Sequence, residues 1–138
     1  MDANAVSKAL VGAEQLGNVP GGHTVQLQSK GMAVMGSGTQ GHSPWTGKPG
    51  FVDKHLLFTG MEALYEGVTI ATIQSHSELT PLMFGSAGNL VCAVYANHGK
   101  RLVLDTGFTR LFCNWDDAGT ARYIINSCVW LVNMESDW

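Results

Sequence analysis

Acidic and basic side chains are concentrated in one run near the end of the chain, residues 101–122. Asp105 ends an apolar, strand-like stretch, a glycine follows it, and Arg110, Asp116 and Arg122 come next, before a helical pattern begins. In α/β proteins a polar loop after a strand lies at an edge of the sheet where ligands often bind. An arginine there can hold a carboxylate through two parallel hydrogen bonds. The spacing therefore raises the hypothesis of a ligand or peptide-carboxylate site.

The same residues also fit a structural interpretation, which the sequence favours. Opposite charges in this run can form an ion-pair network that ties the loop to the following helix, with Asp117 or Thr120 capping that helix. In this interpretation Trp115 is an anchor packed over the network rather than a stacking platform for a ligand. Both interpretations place Asp105 near the other charged residues of the run, which are Arg110, Asp116, Asp117 and Arg122.

Few residues in the rest of the chain are candidates for catalysis or ligand binding. Glu66, between Tyr65 and Gly67, could act as a lone general base, although a role in a turn or at the surface is the more common one. The five histidines show neither HxH nor HExxH spacing, so no metal site and no cofactor is predicted. In the glycine-rich stretch 29–50, predicted as a long loop, His42 and Trp45 are the residues best suited to bind a ligand.

Composition limits the class of protein. The chain has 138 residues, 45% of them hydrophobic and 14% charged, which predicts one domain with a hydrophobic core. A formal charge of −3 without a basic block argues against a nucleic-acid partner. No apolar run is long enough to span a membrane and no signal peptide is evident. Three cysteines without CxxC spacing favour reduced thiols and a cytoplasmic location.

Periodicity predicts helices at both ends of the chain with strands between them. The last helix, 120–133, is expected to bury Ala121, Ile124, Ile125, Cys128 and either Leu131 or Val132. A turn of helix is expected at 61–64, and the apolar strand 102–104 is expected in the interior of the sheet. The other predicted elements are a helix over 4–16, a strand over 23–28, a strand over 68–73 and a β-hairpin near 80–95. The fold class is α/β, with a mixed parallel and antiparallel sheet flanked by the terminal helices.

Four segments resemble the class I glutamine amidotransferase-like (flavodoxin-like) domains, in the branch found with von Willebrand factor A modules. They are HLLFTG (55–60), LYEGVTIA (64–71), LDTGFTRL (104–111) and NWDDAGTARY (114–123). The resemblance implies a mostly parallel sheet flanked by helices. The nucleophile elbow Gly-x-Cys-x-Gly of the amidotransferases is absent from this sequence. Glutaminase activity is therefore not expected, and the domain is expected to be a truncated copy.

The expected function is a non-catalytic binding or assembly module within a larger protein or a homo-oligomer. A truncated sheet would leave an edge that a partner must cover, and the hairpin 80–95 is the segment expected at that interface. Two alternatives remain open. One is a small hydrolase that uses Glu66, Asp105 or a cysteine, and the other is a small-molecule carrier with the 29–50 loop as a lid.

Overall fold

The computed structural model describes residues 3–13, 15–27, 50–52, 55–74, 76–113, 115–116 and 118–134. These residues form three α-helices, a short 3-10 helix at Leu56–Phe58 and eight strands. The helices are α1 (Ala3–Val11), α2 (Phe108–Cys113) and α3 (Thr120–Leu131). The strands are β1 (Gln15–Pro20), β2 (Thr24–Gln26), β3 (Gly50–Phe51), β4 (Ala63–Tyr65), β5 (Thr69–Ile73), β6 (Thr80–Phe84), β7 (Leu90–Asn97) and β8 (Lys100–Asp105).

The strands form one four-stranded sheet and two strand pairs. The four-stranded sheet has the order β3-β6-β7-β8, and the pairs are β1-β5 and β2-β4. Each of these pairings is antiparallel, and the one parallel contact among the described residues is an isolated bridge between Leu27 and Phe51. The α/β class with flanking helices is confirmed. The prediction of a mixed parallel sheet is wrong. Short turns join β6 to β7 and β7 to β8, and short turns permit only antiparallel neighbours. β3 also pairs antiparallel with β6, although a long segment of the chain separates them.

The first helix is shorter than predicted. It ends at Val11 rather than near Leu16, and Gly12 follows it with φ +77°, a left-handed conformation that glycine adopts without a steric penalty. Residues 17–20, which directly follow the predicted helix, lie inside β1, which pairs with β5. The helical turn predicted at 61–64 is also wrong, because 63–65 form β4 and pair with β2. Pairing with a distant strand overrides the local pattern in both places.

The predicted hairpin is present, but it lies in the core rather than at an exposed interface. Strands β6 and β7 occupy the centre of the main sheet, and residues 82–84 and 90–94 are all buried. Met83, Val91, Cys92 and Val94 belong to one apolar cluster, and Phe84 belongs to a second. The expectation that residues 80–95 form the interface with a partner is therefore wrong for this region.

Strand β8 lies at the edge of the main sheet rather than in its interior. Its neighbour is β7, and no described strand lies on its other side. Its residues from Arg101 onward are only partly buried, in contrast to the predicted interior position. Leu102 and Leu104 pack against the apolar cluster that includes Val11, while Val103 packs against the cluster on the opposite face.

Helix α3 is rotated from the predicted orientation, so that a different set of residues is buried while Ile124, of the predicted face, still packs partly buried against the main apolar cluster. Its buried residues are Thr120, Tyr123, Asn126, Ser127 and Trp130. The Asn126 amide donates to Leu57 O and Thr59 O, both at 3.0 Å, so the 3-10 helix gains donors for its free carbonyl groups. By contrast Ile125 is 56% exposed, and Leu131 and Cys128 are also exposed. Polar partners on the packed side thus override the apolar periodicity.

Gly119 precedes α3 with φ +80° and without a side-chain cap, and the Thr120 hydroxyl is buried without a partner, so the predicted Thr120 cap is not formed. Asp117, the other predicted cap, and the 29–50 stretch up to residue 49 fall outside the described residues. Among the described helices, none is long and apolar enough to cross a membrane.

Candidate functional site

Asp105 lies at the carboxyl end of β8 and accepts three hydrogen bonds through its side chain. The Gly107 amide donates to Oδ1 at 2.6 Å, and the Tyr123 hydroxyl donates to Oδ2 at 2.5 Å. The Arg110 guanidinium donates to Oδ1 and forms a salt bridge with the carboxylate, of which 7% remains exposed. Each carboxylate oxygen therefore already has a donor from the chain itself.

Arg110 extends from the inner side of α2 into the protein, and its side chain is fully buried. Besides Asp105, its Nη1 donates to Tyr65 O at 2.9 Å and to Glu66 O at 3.2 Å. Burial lowers the pKa of the guanidinium, but the Asp105 carboxylate, its hydrogen bond and the nearby Tyr123 and Cys92 together raise the pKa above its usual value. The charge is thus paired and joins α2 to β4.

Glycine at position 107 is required by this arrangement. A Cβ atom there would lie 2.5 Å from the Arg110 guanidinium carbon, which is shorter than any normal contact. The sequence Asp105-Thr-Gly107 therefore allows the arginine to pass close to the backbone and reach the carboxylate.

Tyr123 and Cys92 complete the cluster beneath Arg110. The Tyr123 ring lies 5.5 Å from the guanidinium carbon, and its hydroxyl is 3.4 Å from Cys92 Sγ. Burial and the nearby Asp105 carboxylate raise the pKa of the Cys92 thiol to about 12 and raise the pKa of Tyr123 as well. Both groups remain protonated at neutral pH, so Cys92 is not a thiolate nucleophile.

Glu66 is 1% exposed rather than at the surface, and its carboxylate lies at the turn between β6 and β7. It accepts from His23 N at 3.1 Å, from Ser86 N at 2.7 Å and from Ser86 Oγ at 2.7 Å. Gly85 is close enough that an added Cβ would lie 2.8 Å from Glu66 Oε2. The carboxylate thus holds the turn of the central hairpin against the end of β2.

The predicted site residues separate into two groups. Asp105 and Arg110 are in direct contact, and Arg110 also contacts the backbone of Glu66. Asp116 and Trp115 lie in an exposed turn, with Trp115 47% exposed, and the ring over the guanidinium is that of Tyr123 instead. Arg122 is exposed and donates through Nε to Thr59 O at 3.3 Å. His42 and Trp45 lie outside the described residues.

Sequence reasoning missed two residues that bind the carboxylates, Tyr123 at Asp105 and Ser86 at Glu66. Tyr123 is three positions before Asn126 on the inner face of α3, but this face is polar and the apolar pattern pointed elsewhere. Ser86 lies in a turn, and only the tertiary fold brings it to Glu66. Within the described residues no group of three or more His, Cys, Asp or Glu side chains could hold a metal ion.

The carboxylates of Asp105 and Glu66 stabilise the fold, and their oxygens are already hydrogen-bonded within the chain. Catalysis by a nucleophile requires a base and an orienting group around a reacting atom. The oxygens of Asp105 and Glu66 instead accept from groups of the chain that come from α2, α3, β2 and the hairpin turn. This geometry supports the structural interpretation of the 101–122 run.

The outer edge of β8 is the second candidate site. The turn at His98 and Gly99 has φ 52° and 72°, as in the two-residue turns that close a hairpin at a hydrogen-bonded pair, here Asn97 and Lys100. At the other end of β8, Thr106 N donates to Val91 O at 3.0 Å, so the same alternation of backbone groups toward and away from β7 holds along the strand. Leu102 and Leu104 therefore direct their N–H and C=O groups toward β7.

Arg101, Val103 and Asp105 direct their backbone groups away from β7 because neighbouring residues in a strand alternate in direction. Arg101 is held by α3, because its Nη1 donates to Trp130 O at 2.6 Å. The outward groups of Val103 and Asp105 form a short row along an edge that no other described strand pairs with. Such a row is a template for an added strand unless something blunts it. The sequence of the edge has no proline, and its centre is apolar.

Comparisons of the chain with protein-family models, with curated proteins and with solved structures found no match in any of the three.

Proposed function

We propose that the chain is a non-catalytic binding and assembly module that accepts an extended partner strand along the outer edge of β8. The observation that carries the proposal is the outward direction of the Val103 and Asp105 backbone groups, on the side of β8 where no other described strand pairs with it. Peptide recognition by strand addition uses main-chain hydrogen bonds for affinity and side-chain contacts on alternate positions for specificity. Leu102 on one face and Val103 on the other provide those contacts.

The saturated carboxylates support this function in a second way. Asp105 is the last residue of β8, and its bonds to Arg110 and Tyr123 connect that strand to α2 and α3. A strand that is fixed at its end loses little conformational freedom when a partner strand is added, and this reduces the entropy cost of binding. The kinship with amidotransferase-like domains is part of this proposal only as a non-catalytic relationship.

The proposal is tested by selecting short random peptides on the immobilised chain, with Val103→Pro as the counter-selection. Proline removes the outward N–H of Val103 and is tolerated on edge strands, so the fold is expected to persist. We expect peptides with alternating apolar residues that bind the wild type and lose at least about tenfold in affinity on the variant, since each lost hydrogen bond costs roughly 0.5–1.5 kcal/mol and the ring obstructs its neighbour.

Peptides N-methylated at alternate positions supply a matched control that leaves the protein unchanged. Methylation of the amides that face β8 should abolish binding, and methylation of the other amides should not. Equal enrichment on the wild type and on Val103→Pro, or indifference to the position of the methyl groups, would contradict strand addition.

A hydrolase is the second candidate, and one contact favours it: the exposed Ser86 hydroxyl donates to the buried Glu66 carboxylate at 2.7 Å. A serine nucleophile of this kind would react with a fluorophosphonate probe. We expect no labelling, because Ser86 N holds the same carboxylate in a turn. Labelling that disappears in Ser86→Ala would instead establish the enzyme.

A further inference from the structure

We infer that the groove between α1 and the β7–β8 hairpin, called the α1 groove below, binds a small organic anion. The ligand class is a single carboxylate or sulfonate carried on an apolar body, with the Lys100 ammonium holding the acidic group. The α1 groove has a volume of about 650 Å³. Small-molecule sites typically have volumes of roughly 300–1,000 Å³. The groove lies on a face of the main sheet, so the inference goes beyond strand addition at the edge and does not depend on it.

The floor of the α1 groove is formed by two paired strands and is largely apolar. Tyr95 of β7 lies opposite Leu102 of β8 in the sheet register. Both side chains pack against the apolar cluster that includes Val11, and both remain only partly buried. Both residues line the groove, where a ligand would cover the surface that they leave in water. The Tyr95 hydroxyl can also donate a hydrogen bond there.

The wall of the α1 groove is the last turn of α1. Ala9 and Leu10 line the groove, and Leu10 is 53% exposed. A single exposed leucine is ordinary at a protein surface. This one lies beside the apolar floor, so a ligand body in the groove would remove the leucine and the floor from water together, and that burial favours binding.

Lys100 is the residue that selects the charge of the ligand. Side chains alternate between the two faces of a strand, so Lys100 lies on the same face of β8 as Leu102, where it is exposed and lines the groove. Arg101 extends to the opposite face, where its Nη1 donates to Trp130 O at 2.6 Å and its guanidinium carbon lies 4.8 Å from the Trp130 ring. The inference therefore does not use the charge of Arg101.

The balance of charge and apolar surface determines the class of ligand. None of the described residues that line the groove is acidic. His98, at the hairpin turn, lines the same end as Lys100 and can donate a second hydrogen bond to an acidic group. A neutral compound would gain nothing from the ammonium, and a polyphosphate would leave the apolar floor and wall uncovered. An anion with one acidic group and an apolar body uses both features.

Two dyes with the same aromatic rings test the inference. 8-Anilinonaphthalene-1-sulfonate carries a sulfonate, and N-phenyl-1-naphthylamine is the same molecule without it. We expect the sulfonate dye to saturate at one molecule per chain in a fluorescence titration. Lys100→Met should weaken the sulfonate dye about three- to fivefold, the size of an exposed ion pair, and leave the neutral dye unchanged. Leu10→Glu should weaken both dyes about tenfold, because it removes the apolar wall.

Two control variants separate the groove from other surfaces that a dye could bind. Arg122→Met removes an exposed cation of α3, and Phe112→Ser removes one ring of the exposed, stacked pair Phe108 and Phe112 on α2. Both variants should bind the two dyes as the wild type does. A sulfonate dye that is weakened by either control as much as by Lys100→Met would overturn the inferred site.

Amide chemical shifts of the wild-type chain locate the sulfonate dye without any substitution, so this measurement does not depend on whether a variant folds. The amides of Leu10, Tyr95 and Lys100 should shift during the titration, and that of Phe112 should not. Shifts centred on Phe112, unchanged affinity of the sulfonate dye in Lys100→Met, or binding without saturation would overturn the inference. Strand addition would survive that failure, because the outward backbone groups of Val103 lie at the edge of the sheet.

Discussion

Strands β7 and β8 are neighbours in the same hairpin, yet they differ in their relation to the rest of the molecule. Both are rich in apolar residues, as in Leu90–Val94 and Leu102–Leu104. The first run is buried on both faces between β6 and β8, and the second is half-buried at an edge that no other described strand pairs with. Apolar content therefore shows that a segment packs against something, whereas position in the sheet depends on which strands pair.

The first prediction concerns the end of β8, where the half-buried strand meets a buried charge. Arg110→Met keeps an unbranched, flexible side chain but leaves the Asp105 carboxylate without its cation. Removing one partner of a buried ion pair costs about 3–5 kcal/mol. We expect a loss of this size in the free energy of unfolding, measured by urea denaturation.

Arg122→Met is the matched control, because Arg122 is exposed and its bond to Thr59 O is at the surface. The control should lose no more than about 1 kcal/mol. Equal losses for the two variants would show that the Asp105–Arg110 pair does not stabilise the junction of β8 with α2.

The second prediction compares the loss of stability when one leucine of β7 and one leucine of β8 are truncated. Leu90→Ala in β7 removes a fully buried side chain and should cost about 3 kcal/mol or more, within the range of 2–5 kcal/mol for such truncations. Leu102→Ala in β8 should cost about 1 kcal/mol in the monomer, because its side chain is already partly in water. Urea denaturation of dilute protein gives both values, and a Leu102 cost as large as that of Leu90 would place β8 in the interior.

Local chemistry in the sequence predicted several features of the fold. The two largely apolar runs 80–84 and 90–95, with a glycine-containing segment between them, predicted the central hairpin. The order Asp105-Thr-Gly107 with Arg110 nearby predicted a polar junction after a strand. These predictions are correct because a turn, a glycine and a close pair of charges each depend on only a few residues that are near one another in sequence.

Features that depend on contacts between residues far apart in sequence could not be predicted from local patterns. Ile125 and Leu131 of α3 are exposed because Tyr123 and Asn126 have partners on the packed side, at Asp105 and Leu57. Glu66 seemed isolated because its donors, His23 and Ser86, are far from it in sequence. The position of β8 at the edge depends on strand order, which no local pattern encodes.

Amide hydrogen exchange of β8, resolved by residue with NMR in the free chain and with a selected peptide bound, tests the central claim most directly. Leu104 directs its amide toward β7, so it should be protected in both samples. Val103 should exchange quickly in the free chain and become protected only when the peptide is bound. Slow exchange of Val103 in the free chain, or fast exchange with the peptide bound, would contradict an open edge that binds a second strand.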